Sequence, residues 1–171
     1  MRTRKNLVFL NPDIIAAGIS PLDSEKASFK AGRILIHEVK SRIAGGSDFS
    51  FETTMAGKTW LTFLKEAKDQ GYEINIYFLF VTSIDKSLER IDSRVQLGGH
   101  NIPKASVLRR YPRCFANFWY RYRALADNWY IFDNTDDEPR MVMSSGDFDY
   151  LDDDKKDGFV QAFLEGKIYD L

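Results

Sequence analysis

The chain has 171 residues, and a usual domain size of roughly 150 residues predicts a single domain over 1–171. Hydrophobic residues make up 44% and charged residues 29%, which favours a folded core, and the single cysteine excludes a disulfide framework and a multi-cysteine zinc site. The net charge of -1 argues against a general binder of nucleic acid or of a membrane surface.

Apolar runs in the sequence are short. The longest, Ile76–Val81, has six residues, whereas a membrane-spanning helix needs roughly 20. The run that follows the basic amino terminus, Leu7–Leu10, is too short for a secretory signal. We therefore expect a cytoplasmic protein with no membrane partner.

Short apolar runs alternate with amphipathic stretches along the chain. Strands are predicted at Asn6–Leu10, Phe49–Phe51, Ile74–Val81 and Trp129–Phe132. Helices are predicted over Asp23–Ala44 with Gly45 just after its end, Lys58–Gln70, Ser83–Gln96 and a long stretch broken at Pro112. The run Ile74–Val81 has no polar face, which is typical of parallel strands covered on both sides. The sequence thus predicts an α/β fold, a three-layer parallel sheet with helices on both faces.

Charged residues are segregated in the second half of the chain. Lys104–Arg123 contains six cations and no acid, whereas Asp133–Asp157 contains ten acids. The basic stretch indicates a local anionic ligand, and we expect the region from about 136 to 171 to form a solvated acidic tail.

Polar side chains follow the predicted strands at their carboxyl ends. They lie in the segments Asn11–Asp13, Glu52–Thr54, Thr82–Ser83 and Asp133–Asn134. Because ligands of α/β sheets bind at this edge, we expect these groups to converge on a hydroxylated or phosphorylated ligand.

The first two of these segments carry carboxylates that allow two interpretations each. Asp13 could accept a proton from a substrate hydroxyl during phosphoryl transfer, or Asn11 or Asp13 could cap the short helix Ile14–Ala17. Glu52 could hydrogen-bond a polar ligand or help to hold a magnesium ion, or it could be a loop acid beside a threonine cap.

One short pattern looks like a phosphate-binding loop. Gly57-Lys58-Thr59 follows a strand and opens a helix, but position 52 is Glu where the complete loop requires a glycine. We interpret the pattern as a chance match.

Four cationic or imidazole side chains flank Gly98-Gly99, and they are Arg94, His100, Arg109 and Arg110. They fit either a hinged phosphate clamp or a solvated helix face. The aromatic residues that follow, Tyr111–Tyr122, alternate with arginines and could stack single-stranded nucleic acid, but their helical spacing favours core packing.

Five sequence blocks together resemble the zeta-toxin family. They are FLNPDIIAAGISP (Phe9–Pro21), FSFETTMAG (Phe49–Gly57), GYEINIYFLF (Gly71–Phe80), RVQLGGHNIP (Arg94–Pro103) with Arg109-Arg110-Tyr111, and WYIFDN (Trp129–Asn134). They occur in the family's order over about residues 7–134 and are most similar to its small bacterial members, described as predicted ATPases or kinases. The resemblance implies a P-loop kinase fold, ATP with Mg2+ as phosphoryl donor, and a sugar-nucleotide hydroxyl as acceptor, which is UDP-N-acetylglucosamine in characterised zeta toxins. It also implies an antitoxin as a candidate protein partner.

The resemblance further implies roles for single residues. Asp13 resembles the catalytic base and Arg94 the arginine that neutralises the transferring phosphate. The acceptor would contact Asn11, Glu52 and Thr54, and the nucleotide phosphates would contact His100, Arg109, Arg110 and Asn134. A lid over about 97–111 would close on the donor. We expect Asp13, Glu52 and Arg94 to meet around one hollow.

Members of the family begin with a strand and a Walker A loop, whereas this sequence starts at the later FLN block. It contains no complete G-x-x-x-x-G-K-[ST] pattern, so the resemblance predicts a kinase domain without its first strand and P-loop and with very low ATP turnover. Three explanations are open: a misplaced start or frameshift, a decayed remnant, or a partner chain that supplies the loop. The alternative function is a non-catalytic module that binds the acceptor or an antitoxin-like protein.

Overall fold

The computed structural model describes residues 7–21, 24–97, 99, 101–136 and 138–166. The chain divides into two compact units, Met1–Thr54 and Met55–Leu171. The prediction of a single domain over 1–171 stays a prediction.

The described part of the first unit contains a two-stranded parallel sheet and two helices. Its elements are β1 (Val8–Leu10), α1 (Pro12–Ile19), α2 (Ser24–Gly45) and β2 (Phe49–Phe51), with Val8 opposite Phe49 in the sheet. Five apolar residues at four-residue spacing form a stripe along α2, and all of them are buried: Ala27, Ala31, Leu35, Val39 and Ile43. The chain turns one residue later than expected, because Gly46, and not Gly45, adopts a left-handed φ of 66°.

The second unit contains a three-stranded sheet and five helices among the described residues. They are α3 (Thr59–Asp69), β3 (Asn75–Phe80), α4 (Ile84–Gln96), α5 (Lys104–Asn117), β4 (Asn128–Asp133), β5 (Arg140–Ser144), α6 (Ser145–Asp149) and α7 (Asp153–Glu165). A π-helical turn, Phe118–Tyr122, and a 3₁₀ turn, Arg123–Leu125, continue α5. In the sheet, β4 lies between β3, to which it is parallel, and β5, to which it is antiparallel.

Aromatic rings form most of the core of the second unit. The ring of Phe78 packs on those of Phe115, Phe118 and Phe163, with centroids 4.6–5.5 Å apart. The aromatic residues of Tyr111–Tyr122 that the helical spacing assigned to the core are buried: Phe115, Phe118, Trp119 and Tyr122. This arrangement confirms core packing for these rings.

One face of β3 is exposed to solvent. Ile76, Phe78 and Phe80 are buried, whereas Tyr77 and Leu79 between them are 60% and 51% exposed. The expectation that helices cover both faces of the sheet is therefore wrong at β3. Buried and exposed positions alternate along β3, as in any strand with one covered face. The sequence does not show this alternation, because the exposed positions also carry apolar side chains.

The region predicted as an acidic tail contributes to the fold. Between residues 138 and 166 it forms β5, α6 and α7, and Phe148, Phe159 and Phe163 are buried. The acids lie between these apolar positions, so the charge run describes the outer surface of these elements. Among the described residues, no helix combines the length and apolarity that crossing a bilayer requires.

Candidate functional site

Asn11 links the carboxyl ends of the two strands in the first unit. Its Oδ1 accepts hydrogen bonds from the backbone N–H groups of Asp13, at 2.8 Å, and Ile14, at 3.1 Å, which makes it the N-cap of α1. Its Nδ2 donates to Oε2 of Glu52. The backbone N–H of Glu52 in turn donates to the carbonyl of Leu10 at 3.0 Å. Three of the predicted site residues, Asn11, Asp13 and Glu52, are thus held at one edge of one sheet.

Both carboxylates of this edge are accessible. The side chains of Asp13, Glu52 and Thr54 are exposed, and Asn11 is partly exposed. Of the two capping interpretations left open by the sequence, the structure assigns the cap to Asn11. Asp13 lies in the first turn of α1, where the helix dipole favours a negative charge. The edge can therefore present carboxylate oxygens to a ligand that donates hydrogen bonds.

At the carboxyl ends of β3 and β4 in the second unit, polar groups hydrogen-bond to one another. Asp133 is only 6% exposed, and its Oδ1 accepts from the backbone N–H of Thr135 at 2.9 Å and from its hydroxyl at 2.5 Å. The backbone N–H of Thr82 donates to Oγ1 of Thr135 at 3.0 Å. The predicted site residue Asn134 is partly exposed between these groups, and its N–H donates to the carbonyl of Phe80 at 2.7 Å. Sequence reasoning did not single out Thr135, although an Asp two residues before a Thr is a known turn signal.

Arg94 is exposed in the last turn of α4. The N–H of Gly99 donates to the carbonyl of Arg94 at 2.8 Å and closes the helix end. A Cβ at position 99 would lie 2.5 Å from Cγ of Arg94, so the close approach of the chain requires a glycine there. The predicted site residue His100 and its neighbour Gly98 lie outside the described residues.

Arg109 and Arg110 are exposed on α5. Their exposure fits both a phosphate clamp and a solvated helix face. The next residue, Tyr111, instead fastens α5 to the end of β3, because its hydroxyl donates to the carbonyl of Val81 at 2.7 Å. Burial raises the pKa of Tyr111 to about 12. Burial also raises the pKa of the Cys114 thiol to about 11, and the thiol donates to the carbonyl of Tyr111 at 2.9 Å. Both residues are therefore neutral at pH 7.

The Gly57-Lys58-Thr59 segment is held through backbone carbonyl groups. The hydroxyl of Tyr122 donates to the carbonyl of Gly57 at 2.7 Å, and Nδ2 of Asn117 donates to the carbonyl of Met55 at 2.9 Å. A phosphate-binding loop turns successive N–H groups toward its ligand. These bonds engage carbonyl groups and not N–H groups, so the interpretation of this segment as a chance match stays a prediction.

Within the described ranges, no group of three or more His, Cys, Asp or Glu side chains could hold a metal ion. Mg2+ in nucleotide enzymes is usually held by one or two carboxylates together with substrate phosphates. Asp13 and Glu52 each supply one exposed carboxylate at the edge of the first unit, and the magnesium ion that the resemblance implies stays a prediction.

Comparisons with known proteins place the fold. No protein-family model matches the chain. A chain from a solved structure, described as "Molecular and structural characterization of the PezAT chromosomal toxin-antitoxin system of the human pathogen Streptococcus pneumoniae", matches with a TM-score of 0.60 and 12% identity. The match covers 94% of this chain and 74% of that chain. At this identity the likeness shows the fold alone, which is zeta-toxin-like.

One sequence relative is close enough to show a family. An uncharacterized protein of Haemophilus influenzae is 30% identical over 104 residues, which make up 61% of this chain and 74% of that protein. The chain therefore belongs to the same family as this Haemophilus influenzae protein.

Proposed function

We propose that the chain is a small-molecule kinase of the zeta-toxin type that transfers the γ-phosphoryl group of ATP to a hydroxyl of a sugar nucleotide such as UDP-N-acetylglucosamine. The observation that carries this proposal is the edge of the first unit. There the Asn11 side chain joins the start of α1, which carries Asp13, to Glu52 at the end of β2. A zeta-toxin-like fold and the five sequence blocks support the same assignment.

The chemistry of this edge suits an acceptor rich in hydroxyl groups. Carboxylate oxygens accept hydrogen bonds, so Glu52 favours a ligand that donates them, and Thr54 adds a hydroxyl at the same strand end. Asp13 would take the proton of the attacking hydroxyl as the general base. A base of this kind must reach the substrate directly, and Asp13 is exposed.

The donor side of the reaction needs positive charge. Phosphoryl transfer depends almost wholly on positioning and on neutralising the oxygens of the transferring group. In our proposal Arg94 supplies this charge, Arg109 and Arg110 contact the donor phosphates together with His100, and Asn134 contacts the nucleotide. The region of about 97–111 acts as the lid. ATP bound with Mg2+ would supply the transferable phosphoryl group.

The protein partner and the level of activity follow from the same reasoning. A solved structure with this fold comes from a toxin-antitoxin system, so we propose an antitoxin-like protein as a partner in the cytoplasm. The 171 residues hold no complete G-x-x-x-x-G-K-[ST] pattern. We expect the chain by itself to turn over ATP slowly, and a longer chain or a partner that carries such a loop to raise the rate.

The test separates acceptor binding from phosphoryl transfer. UDP-N-acetylglucosamine is titrated into the purified chain by calorimetry, and the phosphorylated sugar nucleotide is measured by mass spectrometry after incubation with ATP and Mg2+. We expect Glu52→Gln to weaken binding by about tenfold, since the acceptor at position 52 loses the charge that strengthens its hydrogen bonds. We expect Asp13→Asn to leave binding nearly unchanged and to abolish product formation.

Asp48→Asn is the matched control. Asp48 is an exposed acid of the same unit, but it precedes β2 and so lies at the opposite end of the strand from Glu52. Its substitution should change neither binding nor turnover. Equal effects of Asp48→Asn and Glu52→Gln would contradict the site. Binding that depends on Glu52, with no product at any ATP concentration, would instead identify a non-catalytic acceptor-binding module.

A further inference from the structure

Asn11 makes several hydrogen bonds at the carboxyl ends of the two strands of the first unit. Its side chain makes three hydrogen bonds, two to backbone N–H groups at the start of α1 and one to Glu52. Its backbone carbonyl accepts a fourth, from the N–H of Ile15 at 3.0 Å. These bonds connect β1, α1 and the end of β2 through one residue.

The identity of this residue is explained by the two kinds of bond that it makes. Asp and Ser cap helices about as well as Asn does, because capping needs only an oxygen acceptor. Only a carboxamide also offers an N–H donor from the same planar group. An aspartate at position 11 would direct a negative oxygen toward the Glu52 carboxylate, and a serine is too short to replace both bonds.

We propose that Asn11 is a positioning residue that orients the Glu52 carboxylate for the acceptor and does not itself bind it, a role that rests on the proposed function. Oε2 of Glu52 accepts the hydrogen bond from Nδ2 of Asn11. This bond restrains Oε2, and in our proposal Oε1 then accepts a hydrogen bond from a hydroxyl of the ligand. The selected ligand class is one that donates hydrogen bonds, such as a sugar, rather than a free anion.

The same residue couples Glu52 to the proposed base. Oδ1 of Asn11 holds the N–H of Asp13, so the planar carboxamide fixes the start of α1 relative to the Glu52 carboxylate. Two carboxylates that belong to different elements are thereby kept in one arrangement. We therefore expect loss of the carboxamide to weaken ligand binding more than it lowers the stability of the fold.

The experiment reverses the donor and the acceptor. Four variants are compared with the wild-type chain in thermal unfolding and in calorimetric titration with UDP-N-acetylglucosamine: Asn11→Ser, Asn11→Asp, Glu52→Gln and the double variant Asn11→Asp/Glu52→Gln. In the double variant, the amide of residue 52 can donate to the carboxylate of residue 11, and the cap of α1 is retained. The contact is restored while the carboxylate at position 52 is absent.

In thermal unfolding, we expect Asn11→Asp to lower the Tm by about 3–6 °C, because two carboxylates face each other. The double variant should return to within about 1 °C of Glu52→Gln. A cap alone cannot produce this recovery, since aspartate caps α1 in both variants that carry it.

In the titrations, Asn11→Ser should weaken the binding of UDP-N-acetylglucosamine by about fivefold with a Tm change of about 2 °C or less. The double variant should bind as weakly as Glu52→Gln. Recovery of stability without recovery of binding identifies Asn11 as acting through Glu52.

Two results would overturn the proposal. One is a double variant no more stable than Asn11→Asp, which means that the two side chains do not interact. The other is an Asn11→Ser chain that binds the sugar nucleotide as tightly as the wild type. If the wild-type chain does not bind UDP-N-acetylglucosamine, the proposed acceptor is wrong, and the two Tm comparisons still decide whether Asn11 positions Glu52.

Discussion

The strand ends of the two units carry similar polar residues and use them differently. In the first unit, Asp13 and Glu52 are exposed at the ends of β1 and β2, and Asn11 joins them. In the second unit, Asp133 is buried at the end of β4, and Thr135 occupies its Oδ1 with two hydrogen bonds. The rule that places ligand sites at the carboxyl ends of parallel strands selects both edges. Burial distinguishes them, since the Asp133 carboxylate is buried within a turn and the carboxylates of the first unit's edge are exposed to solvent.

The largest predicted effect is the loss of stability on substitution of the buried Asp133. Asp133→Ala should destabilise the protein by about 2–3 kcal/mol, because the partly buried N–H and hydroxyl of Thr135 lose their acceptor. Glu52→Ala, at the exposed edge, should cost about 0.5 kcal/mol or less. Urea unfolding of both variants measures the difference. Asp133→Asn keeps an acceptor oxygen and should fall between them, and equal losses at positions 52 and 133 would remove the distinction between the two edges.

A second prediction concerns the turn that follows α4. Gly99→Ala should destabilise the protein by about 1–3 kcal/mol, since the added Cβ would lie 2.5 Å from Cγ and 2.8 Å from the carbonyl oxygen of Arg94. The matched control is Gly57→Ala, because no atom lies within 4 Å of a Cβ at position 57. Thermal unfolding of the pair tests this. An unchanged Tm for Gly99→Ala would show that the turn adapts and does not fix Arg94.

The opposite end of the second unit's sheet should respond to acid. A hydrogen bond from the backbone N–H of Ile74, with help from Lys68 at 3.0 Å, holds the pKa of Asp127 below its usual value. A carboxylate with a lowered pKa stabilises the fold above the unfolded pKa of about 4, and this contribution is lost as the pH falls through the folded value. Asp127→Asn should therefore reduce the dependence of Tm on pH below about pH 4. Because the pair is exposed, the effect should be small and should weaken with salt.

The smallest predicted effect is on cysteine chemistry. Burial raises the pKa of the Cys114 thiol to about 11, so almost no thiolate is present at pH 8. The native protein should react with a thiol reagent far more slowly than the urea-unfolded chain. Rapid labelling of the native protein at pH 8 would show that α5 opens readily.

Much of the fold could be predicted because it depends on local patterns. Local preferences account for three features that the structure shows: the four-residue spacing of the α2 stripe, the side-chain cap that Ser83 gives α4, and the left-handed φ of 82° at Gly71 just after α3. The strand β5 was missed because acids surround its Met-Val-Met centre, and its partner β4 is distant in sequence. The exposed face of β3 was missed because Tyr77 and Leu79 are themselves apolar.

The candidate site could be predicted only as a set of residues. The sequence identified Asn11, Asp13 and Glu52, because each follows a strand of a predicted parallel sheet. It left open which residue caps α1, since Asn and Asp cap equally well. It could not reveal the bond from Asn11 to Glu52, which joins positions 41 residues apart.

The uncharged strand β3 has a practical consequence. It is an edge strand of its three-stranded sheet, and its sequence, NIYFLF, contains neither proline nor a charged residue. Borders of this composition recruit strands from other molecules and seed insoluble fibrils. Concentrated preparations should therefore turn cloudy on storage, and Leu79→Lys should delay the rise in light scattering.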